Sequence, residues 1–308
     1  MLEPQRQPEN GPSLEHRRGS GGGSWSPTVT IRTSIGLHGL ALAGLLASPN
    51  LWLRGLAVVA ANHAVLGLLG MLPRNRLLGP NLVRLPEPCA RQKLVALCFD
   101  DGPDPAVTPP VLDILDRHGA TASFFCVGRR AREHPGILRD IIRRGHSVEN
   151  HTDRHPLGFA AFGMSGMRCE VERAQAALAG ITGRCPRFFR GPAGLRSPLL
   201  DPVLARCGLR YATWTRRGHD TMSRDPGRIL RRLTTGLAAG DILLLHDGLC
   251  ARTREGQPVV LAVLPDLLAE IETRGLRAVS LPGALAAEPP TSLDRASMAP
   301  RAACRRTD

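Results

Sequence analysis

The sequence predicts an α/β protein built on a seven-stranded parallel (β/α) barrel, distorted or partly open, preceded by an N-terminal hydrophobic helical hairpin. The barrel is predicted because short apolar runs alternate with amphipathic runs, and glycine follows many amphipathic runs, as at Gly119 and Gly145. The hairpin is predicted by an apolar stretch over residues 29–72 that is interrupted by a turn at Pro49. A doubly wound open sheet is the alternative architecture.

Composition and charge limit the classes of partner. The chain has 308 residues and a formal net charge of +13, carried by arginines, with Lys93 as the only lysine. The arginines are spread along the whole chain without interleaved aromatic residues, so we expect no nucleic-acid partner. A basic surface suits an anionic membrane or an anionic lipid-linked substrate better. The eight cysteines form no CxxC pair, which excludes a zinc ribbon and a small disulfide scaffold.

The N-terminal region predicts a disordered polar segment followed by membrane-anchor helices. Residues 1–28 are rich in glycine, proline, serine and glutamate, and residues 29–72 are apolar. Residues 51–72 contain one charge, Arg54, and exceed the roughly 20 residues that span a bilayer. The first helix is long enough only if it begins near Val29. The alternative is a pair of buried core helices.

Arginines flank the apolar region on both sides: Arg17, Arg18 and Arg32 precede it, and Arg74, Arg76 and Arg84 follow it. A hairpin keeps both basic flanks in the cytoplasm, where positively charged segments next to membrane helices are usually found. A single span would instead place the following domain on the other side of the membrane. We therefore expect attachment to a bacterial-type inner (cytoplasmic) membrane, with the flanking charge favouring the cytoplasmic face for the catalytic domain. Residues 73–92 are interpreted as a connector.

The rest of the chain predicts one catalytic domain over residues 93–284 and a flexible tail over residues 285–308. Seven apolar runs are predicted to be strands: 94–99, 121–127, 146–150, 187–190, 210–214, 241–246 and 277–281. Six amphipathic runs are predicted to be helices: 108–118, 136–144, 166–180, 198–207, 226–237 and 259–274. Such β-α units form parallel sheets through right-handed crossovers.

Polar residues with catalytic chemistry follow three of the predicted strands. Asp100 and Asp101 end the first strand, His151 and His155 follow the third, and His246 ends the sixth. The carboxyl ends of parallel strands lie at one edge of the sheet, so these side chains should lie close together. Two histidines and one aspartate leave coordination positions open on a metal ion, which is typical of a catalytic site. The same triad occurs in non-haem Fe(II) oxygenases, an alternative that the extra carboxylate and His246 fit poorly.

These segments resemble the motifs of the polysaccharide deacetylases with a NodB homology domain, carbohydrate esterase family four. The resemblance covers roughly residues 93–281. The family motif TFDDGP is matched by residues 98–103, which implies that Asp100 is the catalytic base and Asp101 a metal ligand. The motif H-[ST]-x-x-H is matched by residues 151–155, which implies that His151 and His155 are metal ligands.

The remaining motifs match less completely. Arg190 begins a match to RxPYG in which Ala193 replaces the tyrosine; the family implies that Arg190 orients the base and that the backbone N–H of Ala193 holds the oxyanion. Trp214 and Leu244 fall where the family lines the substrate site. Asp220 falls where an aspartate tunes the catalytic histidine, and Thr221 replaces the tryptophan that usually follows. The motif Leu-x-His implies that His246 is the general acid.

The resemblance implies a metal-dependent hydrolase that removes an N-linked acetyl or formyl group from an amino-sugar-containing glycan or a lipid-linked sugar. The implied cofactor is one divalent metal ion, with zinc as the first expectation and cobalt or another divalent ion as the alternative. The few aromatic residues and the lost groove aromatics favour a small or lipid-linked substrate over a long polymer. A degenerate membrane-bound sugar-binding protein and an O-acetyl esterase are the other readings.

Overall fold

The computed structural model describes residues 25–286. Residues 1–24 and 287–308 lie outside the described part, and with them most of the predicted disordered segment and of the predicted tail. The domain boundaries therefore remain predictions. The described residues form an apolar helical hairpin followed by an α/β domain.

The hairpin consists of α1 (Val29–Ala47) and α2 (Trp52–Gly70), joined by a 3₁₀ turn at Pro49–Leu51. Each helix has 19 residues, so each is about 28 Å long, close to the thickness of a bilayer hydrocarbon core. Only 6% of the most apolar window of the first helix and 11% of that of the second are buried. The alternative of buried core helices therefore does not hold, because both helices expose their apolar side chains.

The α/β domain is a curled parallel sheet covered by helices. Its strands are β1 (Leu94–Asp100), β2 (Ser123–Cys126), β3 (Ser147–Asn150), β4 (Phe188–Phe189), β5 (Arg210–Tyr211), β6 (Arg216–Arg217), β7 (Ile242–His246) and β8 (Arg277–Val279). The order is β5-β4-β3-β2-β1-β7-β6, and β8 also pairs with β1. All these pairings are parallel. The predicted partly open parallel barrel is thus confirmed, and β6 is a short strand beyond the seven predicted.

Helices connect the strands in the order that the sequence predicts. The later helices are α3 (Glu87–Arg91), α4 (Thr108–Arg117), α5 (Gly128–Glu133), α6 (Pro135–Arg143), α7 (Met164–Thr182), α8 (Leu200–Cys207), α9 (Pro226–Thr234), α10 (Val259–Thr273) and α11 (Leu281–Leu285). The short helices α3, α5 and α11 were not predicted, because five or six residues are too few to show a helical period.

Strand β1 is the centre of the domain because all seven of its residues are buried. Val95, Leu97 and Phe99 pack into the large apolar cluster between the sheet and the outer helices. The alternate residues Ala96 and Cys98 pack into a second cluster on the other face of the sheet. Because strand side chains alternate between faces, the terminal Asp100 belongs to this second face. A run of apolar residues thus delivers a carboxylate to the interior edge of the barrel.

Candidate active site

The sequence-predicted polar residues meet at the carboxyl edge of the sheet. In the pairing of β1 with β7, Asp100 lies opposite His246, so the two adjacent strands bring the predicted base and acid together. The next residue, Asp101, has a φ angle of 73°, and His155 and Ala193 have φ angles of 57° and 55°. Positive φ is uncommon for residues other than glycine and costs about 1–3 kcal/mol. The backbone is therefore strained where these residues turn toward the site.

Asp101, His151 and His155 form a compact set of three ligand groups. Each offers one ligand atom, and these atoms lie within 4.8 Å of one another. The Nε2 atoms of His151 and His155 lie 3.2 Å and 3.1 Å from Asp101 Oδ1. His151 Nδ1 lies 2.8 Å from the carbonyl oxygen of Arg190, a contact that favours a proton on Nδ1 and leaves Nε2 free to ligate.

The chemistry of this set fits a divalent metal ion. Asp101 Oδ1 is buried and accepts no hydrogen bond of good geometry among the described residues, although it lies between two imidazole nitrogens. Burial raises the pKa of Asp101, but the close contacts with the His151 and His155 imidazoles and the positive charges of His151 and His246 outweigh it and hold that pKa well below its usual range. The site therefore favours a carboxylate with two imidazoles, a donor set that zinc prefers.

Arg190 holds the predicted base. The arginine is fully buried, and its Nη1 donates to Asp100 Oδ1 over 2.6 Å. Its Nε and Nη2 donate to the carbonyl oxygens of Ala212 and Thr213 over 3.0 Å and 2.9 Å. The guanidinium also lies 3.9 Å from the centre of the Phe125 ring. With all three of its nitrogens donating, Arg190 fixes one oxygen of Asp100 and gives this buried carboxylate a charged hydrogen-bond partner.

Asp220 holds the predicted acid. Its Oδ1 lies 2.8 Å from His246 Nδ1, and its Oδ2 accepts the backbone N–H of His246 over 2.7 Å. Both side chains are buried. Burial lowers the pKa of His246, but the adjacent Asp220 carboxylate outweighs this effect and raises the pKa above its ordinary value. The raised pKa favours the protonated form of His246, and the contact of Nδ1 with Asp220 leaves Nε2 free for another partner.

The structure brings two of the three predicted substrate-site residues, Ala193 and Trp214, together and places the third, Leu244, within strand β7. Ala193 sits in the loop after β4, in a 3₁₀ turn over Pro192–Gly194. Trp214 packs against the same turn, since a Cβ on Gly194 would come within 2.4 Å of the indole. Leu244 is buried in β7, opposite Arg217 of β6. Trp214 and the Ala193 turn are thus brought together, whereas Leu244 lies two residues below His246 on its strand.

Sequence reasoning missed Glu170, which holds the loop between the two histidines. This buried carboxylate accepts the backbone N–H groups of Asp153 and Arg154 over 3.1 Å and 2.9 Å. It also accepts Nε of Arg154 over 2.7 Å. A signal was present, because Glu170 lies on the buried face of α7 with Met167 and Val171. An acidic residue on the apolar face of a helix indicates a buried partner.

Sequence reasoning also missed Asp247, which fixes the loop after β1. Its Oδ2 accepts the hydroxyl of Thr108 over 2.6 Å, and that hydroxyl accepts the N–H of Asp104 over 2.8 Å. A Cβ on Gly102 would meet the Asp247 carboxylate at 2.1 Å, so only glycine fits there. Burial raises the pKa of Asp247 to about 7. The side chain clamps the turn that orients Asp101.

The comparisons with known proteins agree with this geometry. The family model described as polysaccharide deacetylase matches residues 87–212. A chitooligosaccharide deacetylase of Azorhizobium caulinodans is 34% identical over 199 residues, which cover 62% of this chain and 94% of the relative. A peptidoglycan-N-acetylglucosamine deacetylase of Bacillus cereus is 30% identical over 193 residues, which cover 62% of this chain and 87% of the relative.

Solved structures show the same fold. A family 4 carbohydrate esterase from Streptomyces lividans in complex with acetate is 30% identical with a TM-score of 0.55, covering 60% of this chain and 91% of the esterase. A family 4 pseudoenzyme from Bacillus anthracis has a TM-score of 0.60 at 20% identity, covering 67% of this chain and 68% of the pseudoenzyme, and supports the fold alone. The chain therefore belongs to the polysaccharide deacetylase family, carbohydrate esterase family four with the NodB homology domain, and is a hydrolase of the deacetylase class.

Proposed function

We propose that the protein is a membrane-anchored, metal-dependent hydrolase that removes the acetyl or formyl group from the nitrogen of an amino sugar. The observation that carries the proposal is the pairing of Asp100 with His246 on adjacent strands, directly beside the Asp101, His151 and His155 set. A carboxylate and an imidazole of raised pKa are the base and acid that amide hydrolysis needs. Each is held by its own buried partner.

Asp101, His151 and His155 are the residues that would hold one divalent ion, zinc by preference. Such an ion supplies polarisation of the acyl oxygen and makes a water molecule more acidic. The protein's contribution is to keep the three ligand groups in place before the ion binds. The contact of His151 with the carbonyl of Arg190 and the clamp of Asp247 on the first loop both serve this purpose.

The remaining residues move protons and hold charge. Asp100 takes a proton from the attacking water as its oxygen adds to the acyl carbon. The negative oxygen that forms is stabilised by the backbone N–H of Ala193, in the turn after β4. His246 gives its proton to the sugar nitrogen, the carbon–nitrogen bond breaks, and a carboxylate and a free amine leave. Arg190 and Asp220 are positioning residues, and Trp214 and Leu244 form the wall beside the acyl group.

The proposed substrate is an N-acylated glycan or lipid-linked sugar, in line with the printed activities of the relatives on chitooligosaccharide and peptidoglycan. The proposed location is the inner membrane, since α1 and α2 are long and apolar enough to cross a bilayer. Arginines on both flanks of the hairpin favour the cytoplasmic face for the catalytic domain.

The test is release of acetate or formate by the purified full-length protein, stripped of metal by a chelator and then supplied with zinc or cobalt. Asp100→Ala should abolish release while the protein still binds the ion. Asp113→Ala, which removes an exposed carboxylate on α4, is the matched control and should keep full activity. Metal binding without release from any N-acyl sugar, or release that survives Asp100→Ala, would contradict the proposed mechanism and favour a sugar-binding protein.

A further inference from the structure

Large apolar side chains are exposed on the loops that surround the candidate active site. Leu157 lies two residues after His155 and is 80% exposed, and Met222 lies two residues after Asp220 and is 82% exposed. Leu249 lies three residues after His246 and is 59% exposed. Each follows a different strand, so together they form an apolar rim around the carboxyl edge of the barrel. A water-soluble sugar chain would gain little from such a rim, because its own surface is dominated by hydroxyl groups.

The hairpin is joined to the same edge by direct contacts. The carbonyl of Gly70, the last residue of α2, accepts the N–H of Arg196 over 3.0 Å. A Cβ on Gly70 would come within 2.3 Å of the carbonyl oxygen of Arg196, so the helix end is packed closely against the loop that carries Ala193. Three residues after the helix, Pro73 lies against Gly194 of that loop. The membrane helices therefore end beside the proposed oxyanion site.

The segment after the hairpin is part of the sheet, not a free tether. Leu82 donates its N–H to the carbonyl of Tyr211 and accepts the N–H of Thr213, each over 3.0 Å. Asn81 accepts the hydroxyl of Thr213 and donates to the carbonyl of Pro73. The carbonyl of Thr213 in turn accepts Arg190. The hydrogen-bonded path from the end of α2 to Arg190 fixes the orientation of the barrel relative to the hairpin.

Resting on the proposed membrane anchorage and deacylase activity, we propose that the apolar rim contacts the bilayer surface and that the substrate is an N-acyl amino sugar carried on a lipid. The bilayer is the partner because the hairpin ends beside the loop that carries Ala193, through the contacts of Gly70 with Arg196 and of Pro73 with Gly194, and this brings the same edge of the barrel to the membrane surface. A site held at that surface meets sugars anchored in the bilayer, and the arginine-rich chain favours an anionic, phosphate-containing linkage.

Turnover tests the proposal with the full-length protein in vesicles of phosphatidylethanolamine and phosphatidylglycerol. The probes are N-acetylglucosamine joined through phosphate to a polyprenyl chain, and soluble chitotetraose, each assayed for released acetate. Leu157→Asp with Met222→Asp places two carboxylates on the rim. Ala176→Asp with Ala269→Asp makes the same charge change at exposed positions in the C-terminal halves of α7 and α10, near the opposite edge of the barrel. We expect the rim variant to lose at least tenfold on the lipid probe relative to this control, with turnover of chitotetraose within twofold.

A second measurement is independent of turnover. Met222→Trp should be quenched by brominated phospholipids in the vesicles, and Ala176→Trp should not, each compared with the unsubstituted protein. Equal quenching at the two positions, or equal turnover of the lipid probe by the rim and control variants, overturns the membrane-facing rim. Quenching at position 222 without acetate release from either probe would leave the rim standing and refute the deacylase activity instead.

Discussion

Asp220→Asn separates the charge of Asp220 from its shape. The amide occupies the same space but carries no charge, so the pKa of His246 should fall from its raised value. In the proposed mechanism His246 must be protonated to donate to the leaving nitrogen, so activity should fall as the pH rises through this pKa. The descending limb of the kcat profile should consequently move to lower pH in the variant.

The size of the effect follows from the role of the acid. A positioned general acid contributes about 10²–10⁴-fold to the rate, which corresponds to about 3–5 kcal/mol of activation free energy. We expect kcat for acetate release to fall within this range at pH 8 and by less at pH 6. Asp225→Asn, at the N-cap of α9, makes the same chemical change outside the site and should leave both limbs in place.

The pH dependence of the free energy of unfolding is a second, independent test of the Asp220–His246 pair. Because the folded-state pKa of His246 is raised, the stabilisation by Asp220 is complete below the unfolded pKa of about 6.5 and is lost as the pH rises through the folded value. Urea unfolding should therefore show a larger loss for Asp220→Asn at pH 6 than at pH 9. An unmoved descending limb together with a pH-independent loss of stability would refute the assignment of His246 as an acid tuned by Asp220.

Other substitutions test the supports of the site. Arg190→Met leaves the Asp100 carboxylate buried without its partner and should lower the free energy of unfolding by about 3–5 kcal/mol; a loss below 1 kcal/mol in urea titration would contradict the buried pairing. Asp101→Asn should reduce zinc affinity in calorimetry at least tenfold, whereas Asp116→Asn on the exposed face of α4 should not change it. Glu170→Gln keeps the side chain's size but weakens its hold on the 151–155 loop, and should lower zinc affinity about 10–100-fold without loss of helix content in circular dichroism.

The sequence was most informative where apolar runs end in polar residues. Strands β1 and β7 were predicted closely, because Leu97 and Leu243 lie within unbroken buried runs that stop at Asp100 and His246. Parallel pairing then explains why residues far apart in sequence meet at one edge. Arg190 was placed near Asp100 only by the family motif. A single arginine gives no periodic signal in the sequence that would locate it in the site.

Other features depend on tertiary contacts that leave no periodic signal. Strand β4 is two residues long, although residues 187–190 were predicted; the Glu149 carboxylate accepts the N–H groups of Arg187 and Phe188 at its start. Burial raises the pKa of Glu149 to about 7. Strand β5 likewise ends at Tyr211, beside the connector that Leu82 joins to it. In these short strands, contacts from one side chain or one residue take the place of the regular backbone hydrogen bonds between strands. Such contacts produce no alternation of apolar and polar residues, so the sequence pattern does not show where the strand ends.

The pairing of Asp100 with His246 has a consequence for how the enzyme can diversify. Neighbouring strands are separated by about 4.8 Å, a distance set by backbone hydrogen bonds and not by side chains. The two residues proposed to transfer protons are therefore spaced by the sheet itself, whatever the surrounding loops contain. Insertions or exchanges in the loops after β3, β4 or β6 can alter which acylated sugar is accepted, while the donor and the acceptor of the proton keep their separation.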